Sequence, residues 1–173
     1  MKFPIKWNEY TIRLKKPSDA KEHKKLMDSL IDENADIGSN KKESIKKYEQ
    51  SISKAIKGKK NVSLVAFKNN KMVGGTGISL KNGKADHVGS YGISVLKTER
   101  GKGLGKKLTE LIIELAKKKL KGLELIELEV FKRNVPAINL YTKIGFSIVA
   151  ELHKTLKVNN EYFDEYIMHY WIK

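Results

Sequence analysis

Two periodicities of hydrophobic residues alternate along the chain. In residues 104–120, leucine, isoleucine and alanine recur at helical spacing on one face, with lysine and glutamate opposite. From Leu123 to Phe131, apolar and polar residues instead alternate one by one, which is typical of a strand. The same two patterns predict helices within 17–33, 40–58, 104–120 and 135–145. They predict strands at 10–14, 61–67, 72–80, 87–95, 123–131, 146–156 and 162–172.

Residues typical of helix ends and turns support these boundaries. Ser18 or Asp19 is suited to cap the first helix, and Gly58 to end the second. Pro136 near the start and Gly145 just past the end frame a short fourth helix. The order β-αα-βββ-α-β-α-ββ predicts a mixed α/β (α+β) fold with about four helices, and the length predicts one domain over residues 1–173.

The composition narrows the class of protein. With 40% hydrophobic and 32% charged residues, the chain reads as globular rather than disordered. The absence of cysteine excludes disulfides, thiolate metal sites and cysteine nucleophiles. No apolar run has the length of a membrane span, and the first residues do not resemble a secretion signal. We therefore expect a cytoplasmic protein without membrane partners.

The net charge of +15 requires a separate interpretation. Only three of the 35 basic residues are arginine, so lysine carries nearly all of the positive charge. Base readout and bidentate phosphate binding favour arginine, whereas lysine is also the common solubilising residue. The charge thus disfavours nucleic acid as the main partner, although it still attracts small polyanions.

A glycine-rich segment joins a predicted strand to the third helix. Gly101, Gly103 and Gly105 allow backbone conformations and close approaches that side chains would block. Amide groups at the start of the helix would then face an anion, most plausibly a phosphate. The spacing matches neither a P-loop, which needs four residues before Gly-Lys, nor the dinucleotide fingerprint, which needs glycine at Lys106. A flexible turn flanked by solvated lysines is the alternative that the loop alone leaves open.

Residues 100–105 and 128–146 form two separated blocks that together resemble the GNAT superfamily of acetyl-coenzyme A-dependent N-acetyltransferases. The first is R-x-x-G-x-G, from Arg100 to Gly105. The second matches L-x-V-x-x-x-N-x-x-A-x-x-L-Y-x-x-x-G-F, at Leu128, Val130, Asn134, Ala137, Leu140, Tyr141, Gly145 and Phe146. The resemblance implies a single-domain, mostly antiparallel sheet that splays between the strand ending at Val95 and the strand from Leu123 to Phe131. It also implies acetyl-coenzyme A as acyl donor, no metal, and a homodimer as a common assembly.

The family pattern implies which residues hold coenzyme A. The pyrophosphate would bind the loop amides, and the pantetheine arm would pair with the end of the preceding strand. Asn134, Asn139 and Lys143 would reach the cofactor from the fourth helix, although Asn134 also fits a helix cap. The implied binding residues are Ile93, Ser94, Val95, Arg100, Gly101, Lys102, Gly103, Leu104, Gly105, Lys106, Asn134, Asn139 and Lys143.

Direct attack of an amine on the thioester requires an acid and a base. The resemblance implies that Tyr141 protonates the leaving thiolate, since a phenol stays protonated at neutral pH; packing alone is the alternative. For the base, Glu127 and Glu129 share one strand face, and His87 and Tyr91 are alternatives. A solvated strand face would equally account for the two glutamates.

Acidic residues cluster in two segments that border the acceptor site in this family. Such clusters favour a cationic acceptor, namely a small amine or a protein amine, whereas helix capping and charge balance are the alternative. The candidate acceptor-binding residues are Asp32, Glu33, Tyr162 and Asp164. Two other functions remain open, an acyl-coenzyme A sensor without turnover and a basic nucleic-acid-binding domain.

Overall fold

A computed structural model describes residues 1–38 and 41–172. Its helices are α1 (Ala20–Asp32), α2 (Ile45–Lys57), α3 (Leu104–Lys119) and α4 (Val135–Ile144). Its strands are β1 (Ile5–Trp7), β2 (Tyr10–Leu14), β3 (Asn61–Lys68), β4 (Lys71–Leu80), β5 (Val88–Val95), β6 (Leu125–Phe131), β7 (Ser147–Val158) and β8 (Glu161–Trp171). The predicted second helix included position 40, which lies outside the described residues.

The sheet has eight strands in the order β1-β2-β3-β4-β5-β6-β8-β7. Strands β1 to β4 pair antiparallel in sequence, as do β6 with β8 and β7 with β8. Strands β5 and β6 pair parallel, over three residue pairs that end at Ser90 and Glu127. The predicted α+β class with four helices and a mostly antiparallel sheet is confirmed.

The chain forms two compact units, the first made of residues 1–79 and 92–121. In this first unit, Leu26 and Leu30 of α1 form a buried cluster with Val65 of β3 and Met72 of β4. Helix α3 buries Leu104, Leu108 and Ile112 completely. Because these residues are spaced four apart, one face of α3 is fully withdrawn from water.

Residues 80–91 and 122–173 make the second unit. Its core combines Ile126 and Leu128 of β6 with Met168 of β8, all nearly inaccessible to solvent. An aromatic cluster joins Tyr141 of α4 to Phe146, with ring centroids 5.8 Å apart. The expectation of a single domain over residues 1–173 stays a prediction.

Local signals placed most element ends correctly. The Asn134 side chain accepts a hydrogen bond from the Ala137 amide at the start of α4, and Gly145 ends that helix with φ = 113°. Gly58 follows α2 as expected. Strand β1 was not predicted, because three residues are too few to show a period.

Two expectations about helices α1 and α2 need correction. Asp19 stands at the start of α1 but makes no capping hydrogen bond to it. Its carboxylate instead binds the Arg13 guanidinium and accepts from the Lys16 amide. The isoleucines of α2 recur at helical spacing, which predicts one buried stripe, but only part of it is withdrawn from water: Ile52 is buried, whereas Ile45 and Ile56 are 43% and 50% exposed. Among the described residues, no helix is long and apolar enough to cross a membrane.

Candidate active site

Two of the three loop glycines have the backbone geometry that the sequence predicts, whereas Gly105 lies inside α3. Gly101 and Gly103 lie at φ = 77° and 83°, in the left-handed region that residues with a side chain avoid. Gly103 is the residue just before α3. A Cβ atom there would lie 3.5 Å from Cη2 of Trp7, whose indole stacks on Tyr10. The loop therefore bends sharply into the helix against an aromatic support.

Among the described residues, the backbone amides of the glycine loop stay out of hydrogen bonds with carbonyl groups, although Leu104 itself is buried. Within the described part of the chain, no backbone carbonyl accepts from the amides of residues 101–106, and the Lys107 amide begins the helical ladder by donating to the Gly103 carbonyl at 3.1 Å. Helix α3 runs for 16 residues behind these groups. Its dipole and its free N–H groups together favour an anion at this end.

The charged side chains around the loop are mostly paired inside the first unit. The Arg100 guanidinium donates to the Val95 carbonyl at 3.0 Å and also binds Glu33. Lys102 lies 3.0 Å from the buried Glu99 carboxylate. Lys106 is exposed, and its nearest carboxylate among the described residues, that of Glu110, is at the long distance of 3.8 Å. The loop's attraction for an anion thus rests chiefly on its backbone, with Lys106 the predicted cation least engaged.

The end of β5 that the family pattern assigns to pantetheine belongs to the first unit. The Gly92 carbonyl accepts from the Thr76 hydroxyl at 2.9 Å, and the Leu96 amide donates to Val73 at 2.9 Å. Between them, the side chains of Ile93, Ser94 and Val95 are half-buried. These bonds fix the strand end against β4.

Tyr141 lies in the second unit with its ring enclosed and its hydroxyl unbonded. The residue is 7% exposed, and Tyr91 contacts its ring in a T-shaped arrangement at 5.8 Å. Burial raises the pKa of Tyr141 to about 12, which keeps the phenol protonated at neutral pH. Within residues 1–38 and 41–172, no group hydrogen-bonds to this hydroxyl. It is therefore an available proton donor.

The other α4 residues have simpler surroundings. Asn134 uses its side-chain oxygen as the helix cap, 3.3 Å from the Ala137 amide, which leaves its NH₂ group free to donate. Asn139 and Lys143 are exposed and four residues apart, so they share one face of α4.

The proposed bases differ in their partners. Glu127 is bound on one oxygen by Lys81 and on the other by His169, at 3.1 Å from Nε2. The Lys81 hydrogen bond, followed by that of His169, holds the pKa of Glu127 below its usual range, although burial opposes this. Glu129 is exposed, and Tyr91 is buried in the aromatic cluster. His87 is half-buried, and its carbonyl accepts the Glu124 and Leu125 amides.

The predicted acceptor residues are largely neutralised by cations. Asp32 lies 2.6 Å from Lys42, and Glu33 pairs with Arg100. In the second unit, Asp164 accepts from the Lys154 amide at 2.9 Å and lies 3.5 Å from His153 Nδ1. Tyr162 is 59% exposed. Charge balance within each unit thus accounts for much of the acidic clustering.

Lys81 and His169 were missed by sequence reasoning. Neither belongs to a motif, and Lys81 lies 46 residues before Glu127 and His169 42 residues after it. The antiparallel register of β6 and β8 places Glu127 opposite His169 and so brings these two side chains together. A sequence does not reveal that register.

Comparisons with known proteins support these findings. Residues 24–146 match the acetyltransferase (GNAT) family. The L-amino acid N-acetyltransferase AaaT of Escherichia coli is 36% identical over 85 residues, which are 49% of this chain and 52% of that protein. The uncharacterized N-acetyltransferase YobR of Bacillus subtilis is 38% identical over 79 residues, 43% of this chain and 31% of that protein. The matched segment thus spans only about half, or less, of these relatives.

Solved structures share the fold over nearly the whole chain. The acetyltransferase of GNAT family from Streptococcus pneumoniae aligns with a TM-score of 0.88 and 27% identity, covering 95% of this chain and 100% of that one. The structure of a putative acetyltransferase from Salmonella typhimurium with acetyl-CoA aligns with a TM-score of 0.85. The alignment covers 96% of this chain and 95% of the Salmonella chain. At 18% identity this second likeness concerns the fold alone. From the matched residues and the fold we conclude that the chain belongs to the acetyltransferase (GNAT) family.

Proposed function

We propose that the protein transfers an acetyl group from acetyl-coenzyme A to a primary amine by direct attack. The main observation behind the proposal is that, in the described part of the chain, no backbone carbonyl accepts from the amides of residues 101–106, at the start of a 16-residue helix. Such a surface suits a pyrophosphate, because neutral backbone N–H groups bind the anion without requiring a buried, charged side chain. Bound there, coenzyme A would supply an activated thioester.

The chain's own residues supply the remaining steps. The amides of residues 101–106 bind the pyrophosphate, and the NH₂ group of Asn134 is free to bind the pantetheine side. A backbone N–H near Ser94 or Val95 stabilises negative charge on the carbonyl oxygen during attack. As the new C–N bond forms and the C–S bond breaks, Tyr141 gives its proton to the departing thiolate. A proton lost by the amine goes to a base, so charge balances.

The acceptor class follows less directly. The chain matches an L-amino acid N-acetyltransferase, and structural neighbours include ribosomal-protein-alanine acetyltransferases. Both kinds of acceptor carry a primary α-amine. The acidic residues first considered for a cationic acceptor are paired with cations, as with Asp32 and Lys42. We therefore propose a primary amine, on a small molecule or a protein, as the acceptor. A substrate panel decides whether the acceptor carries further positive charge.

Thermal unfolding with acetyl-coenzyme A tests the proposal first. A ligand at about 100 times its dissociation constant adds about 2.7 kcal/mol to stability. Turnover is then followed as free thiol, to which a chain without cysteine adds no background. The panel should hold α-amino acids, peptides with free N-termini, polyamines and lysine side-chain analogues.

The possible outcomes separate the candidate functions. Stabilisation together with thiol release on an amine would support the acetyltransferase. Stabilisation without turnover on any amine would instead indicate an acyl-coenzyme A sensor. Stabilisation by nucleic acid but not by millimolar acetyl-coenzyme A would overturn both.

A further inference from the structure

We propose that His169, oriented by Glu127, accepts the proton that the attacking amine loses. This inference rests on the proposed function, because it assigns the base that the amine reaction requires. It replaces the choice between Glu127 and Glu129 with a two-residue arrangement in which Glu127 positions the imidazole. Lys81 completes it by fixing the charge of Glu127.

The arrangement is built by adjacent strands of the second unit. Glu127 on β6 and His169 on β8 are directly opposed in the antiparallel register. Their side chains meet at 3.1 Å between Oε2 and Nε2, and each is about one-fifth exposed. A pair largely withdrawn from water but still accessible is suited to exchange a proton with a ligand.

The tautomer of the neutral His169 imidazole follows from its hydrogen-bond partners. Lys81 occupies the other oxygen of Glu127 and favours the ionised carboxylate. An ionised carboxylate only accepts hydrogen bonds, so His169 must donate through Nε2–H. In the neutral ring the lone pair then lies on Nδ1. No group among the described residues hydrogen-bonds to Nδ1, so this atom is free to take a proton.

The strand faces place this base apart from the proposed acid. Successive side chains on a strand point to opposite faces of the sheet. On β8, Tyr170 contacts Phe146 of the aromatic cluster at 5.3 Å, so His169 points to the other face. On β5, Tyr91 contacts Tyr141, whereas the preceding Ser90 pairs with Glu127 at the last position of the β5–β6 register. An acid on one face and a base on the other do not neutralise each other directly.

The charges around His169 in the second unit are few. On its own face, β6 contributes Glu127 and the exposed Glu129, and the end of β4 is followed by Lys81. Strand β7 places the uncharged Ser147 opposite His169, and β8 places Ile167 and Trp171 two residues to either side. The net effect is one carboxylate in contact and one cation beyond it.

His169 and Tyr141 exchange two separate protons during the reaction. As the amine nitrogen bonds to the carbonyl carbon, its N–H becomes acidic, and the proton moves to Nδ1 of His169. The resulting imidazolium is stabilised by the Glu127 carboxylate and later releases its proton to water. As the C–S bond breaks, the phenol of Tyr141 separately protonates the thiolate and then regains a proton from water, so the products are a neutral amide and a thiol.

The test compares His169→Gln with His153→Gln. His153 is a matched control because it also lies near carboxylates, 3.5 Å from Asp164 and 3.6 Å from Glu151, but is 72% exposed on the β7–β8 hairpin. We expect kcat/KM for the best amine to fall roughly 100-fold or more in His169→Gln. Stabilisation by acetyl-coenzyme A should stay unchanged in both variants, and His153→Gln should keep its rate.

The pH profile of kcat/KM separates a base from a structural role. In the wild-type protein the rate should fall on the acid side with one ionisation, and this limb should disappear in His169→Gln. Added imidazole should restore part of the rate in His169→Ala. A rate within threefold of wild type, or a slower variant that keeps the same acid limb and gains nothing from imidazole, would overturn the inference. Failure of the proposed function would look different, because the wild-type protein itself would show no turnover.

Discussion

The glycine loop of the first unit and the Lys81–Glu127–His169 cluster of the second unit are built in contrasting ways. In the loop, consecutive backbone amides of residues 101–106 form the binding surface. In the cluster, three side chains from separate parts of the chain meet at one strand face. The first needs only local conformation, whereas the second needs the correct strand register. We therefore expect changes in the loop to alter binding of the donor, and changes in the second unit to alter the rate.

The largest effect is expected from Tyr141→Phe. The variant keeps the ring in its aromatic cluster but removes the proposed proton donor, so kcat should fall by roughly 100- to 1,000-fold. Thiol release gives kcat, and thermal unfolding shows whether acetyl-coenzyme A still binds. Tyr166→Phe, the same substitution on β8, should keep kcat. Equal losses in the two variants would remove the special role of Tyr141.

A histidine of the first unit should affect stability rather than rate. Burial, and next the nearby Lys15, lower the pKa of His23 to about 4, and its ring packs edge-on against Tyr48. Between pH ~6.5 and ~4 the unfolded chain binds this proton and the folded chain does not, so stability falls as pH falls through that window. The loss attributable to His23 should reach about 3 kcal/mol.

Urea unfolding at pH 7.5, 5 and 4 measures this loss, with His23→Phe as the comparison. The wild-type protein should lose more stability than the variant on acidification. Lys15, whose burial lowers its pKa to about 8, is mostly charged at pH 7.5 and fully charged at pH 5 and 4, so it adds little to the measured difference. Parallel curves for the two proteins would contradict the assignment to His23.

A smaller effect is expected from Gly103→Ala. Forcing a side chain into φ = 83° costs about 1–2 kcal/mol of stability, and the new methyl group would contact Trp7. Gly122→Ala is matched for strain, with φ = 78° and no atom within 4 Å of the added Cβ. Both variants should lose stability, but only Gly103→Ala should raise KM for acetyl-coenzyme A. A raised KM in both variants would indicate that lost stability, rather than the change in the loop itself, weakens binding of acetyl-coenzyme A.

The smallest effect is expected from Lys106→Gln at the loop. Its exposed charge contributes only about 0–1 kcal/mol, so KM for acetyl-coenzyme A should rise about two- to threefold. The rise should shrink as salt increases, because exposed charges are screened. Lys118→Gln, near the other end of α3, should leave KM unchanged at every salt concentration.

The sequence by itself determined the features that depend on neighbouring residues. Periodicity located α3 and β6 to within a few residues, since hydrophobic spacing follows the geometry of the element. Asn134 and Gly145 marked the ends of α4 because a cap and a left-handed residue are local requirements. The bend of the glycine loop was readable for the same reason.

Tertiary structure decided which side chains share a partner. Asp19 is an ordinary cap residue by sequence, but Arg13 on β2 binds its carboxylate and removes it from that role. Arg100 and Glu33, assigned to two different ligands, bind each other across 67 positions. His169 joined Glu127 only through the pairing of β6 with β8. Such partnerships depend on long-range register and packing, which spacing along one chain does not encode.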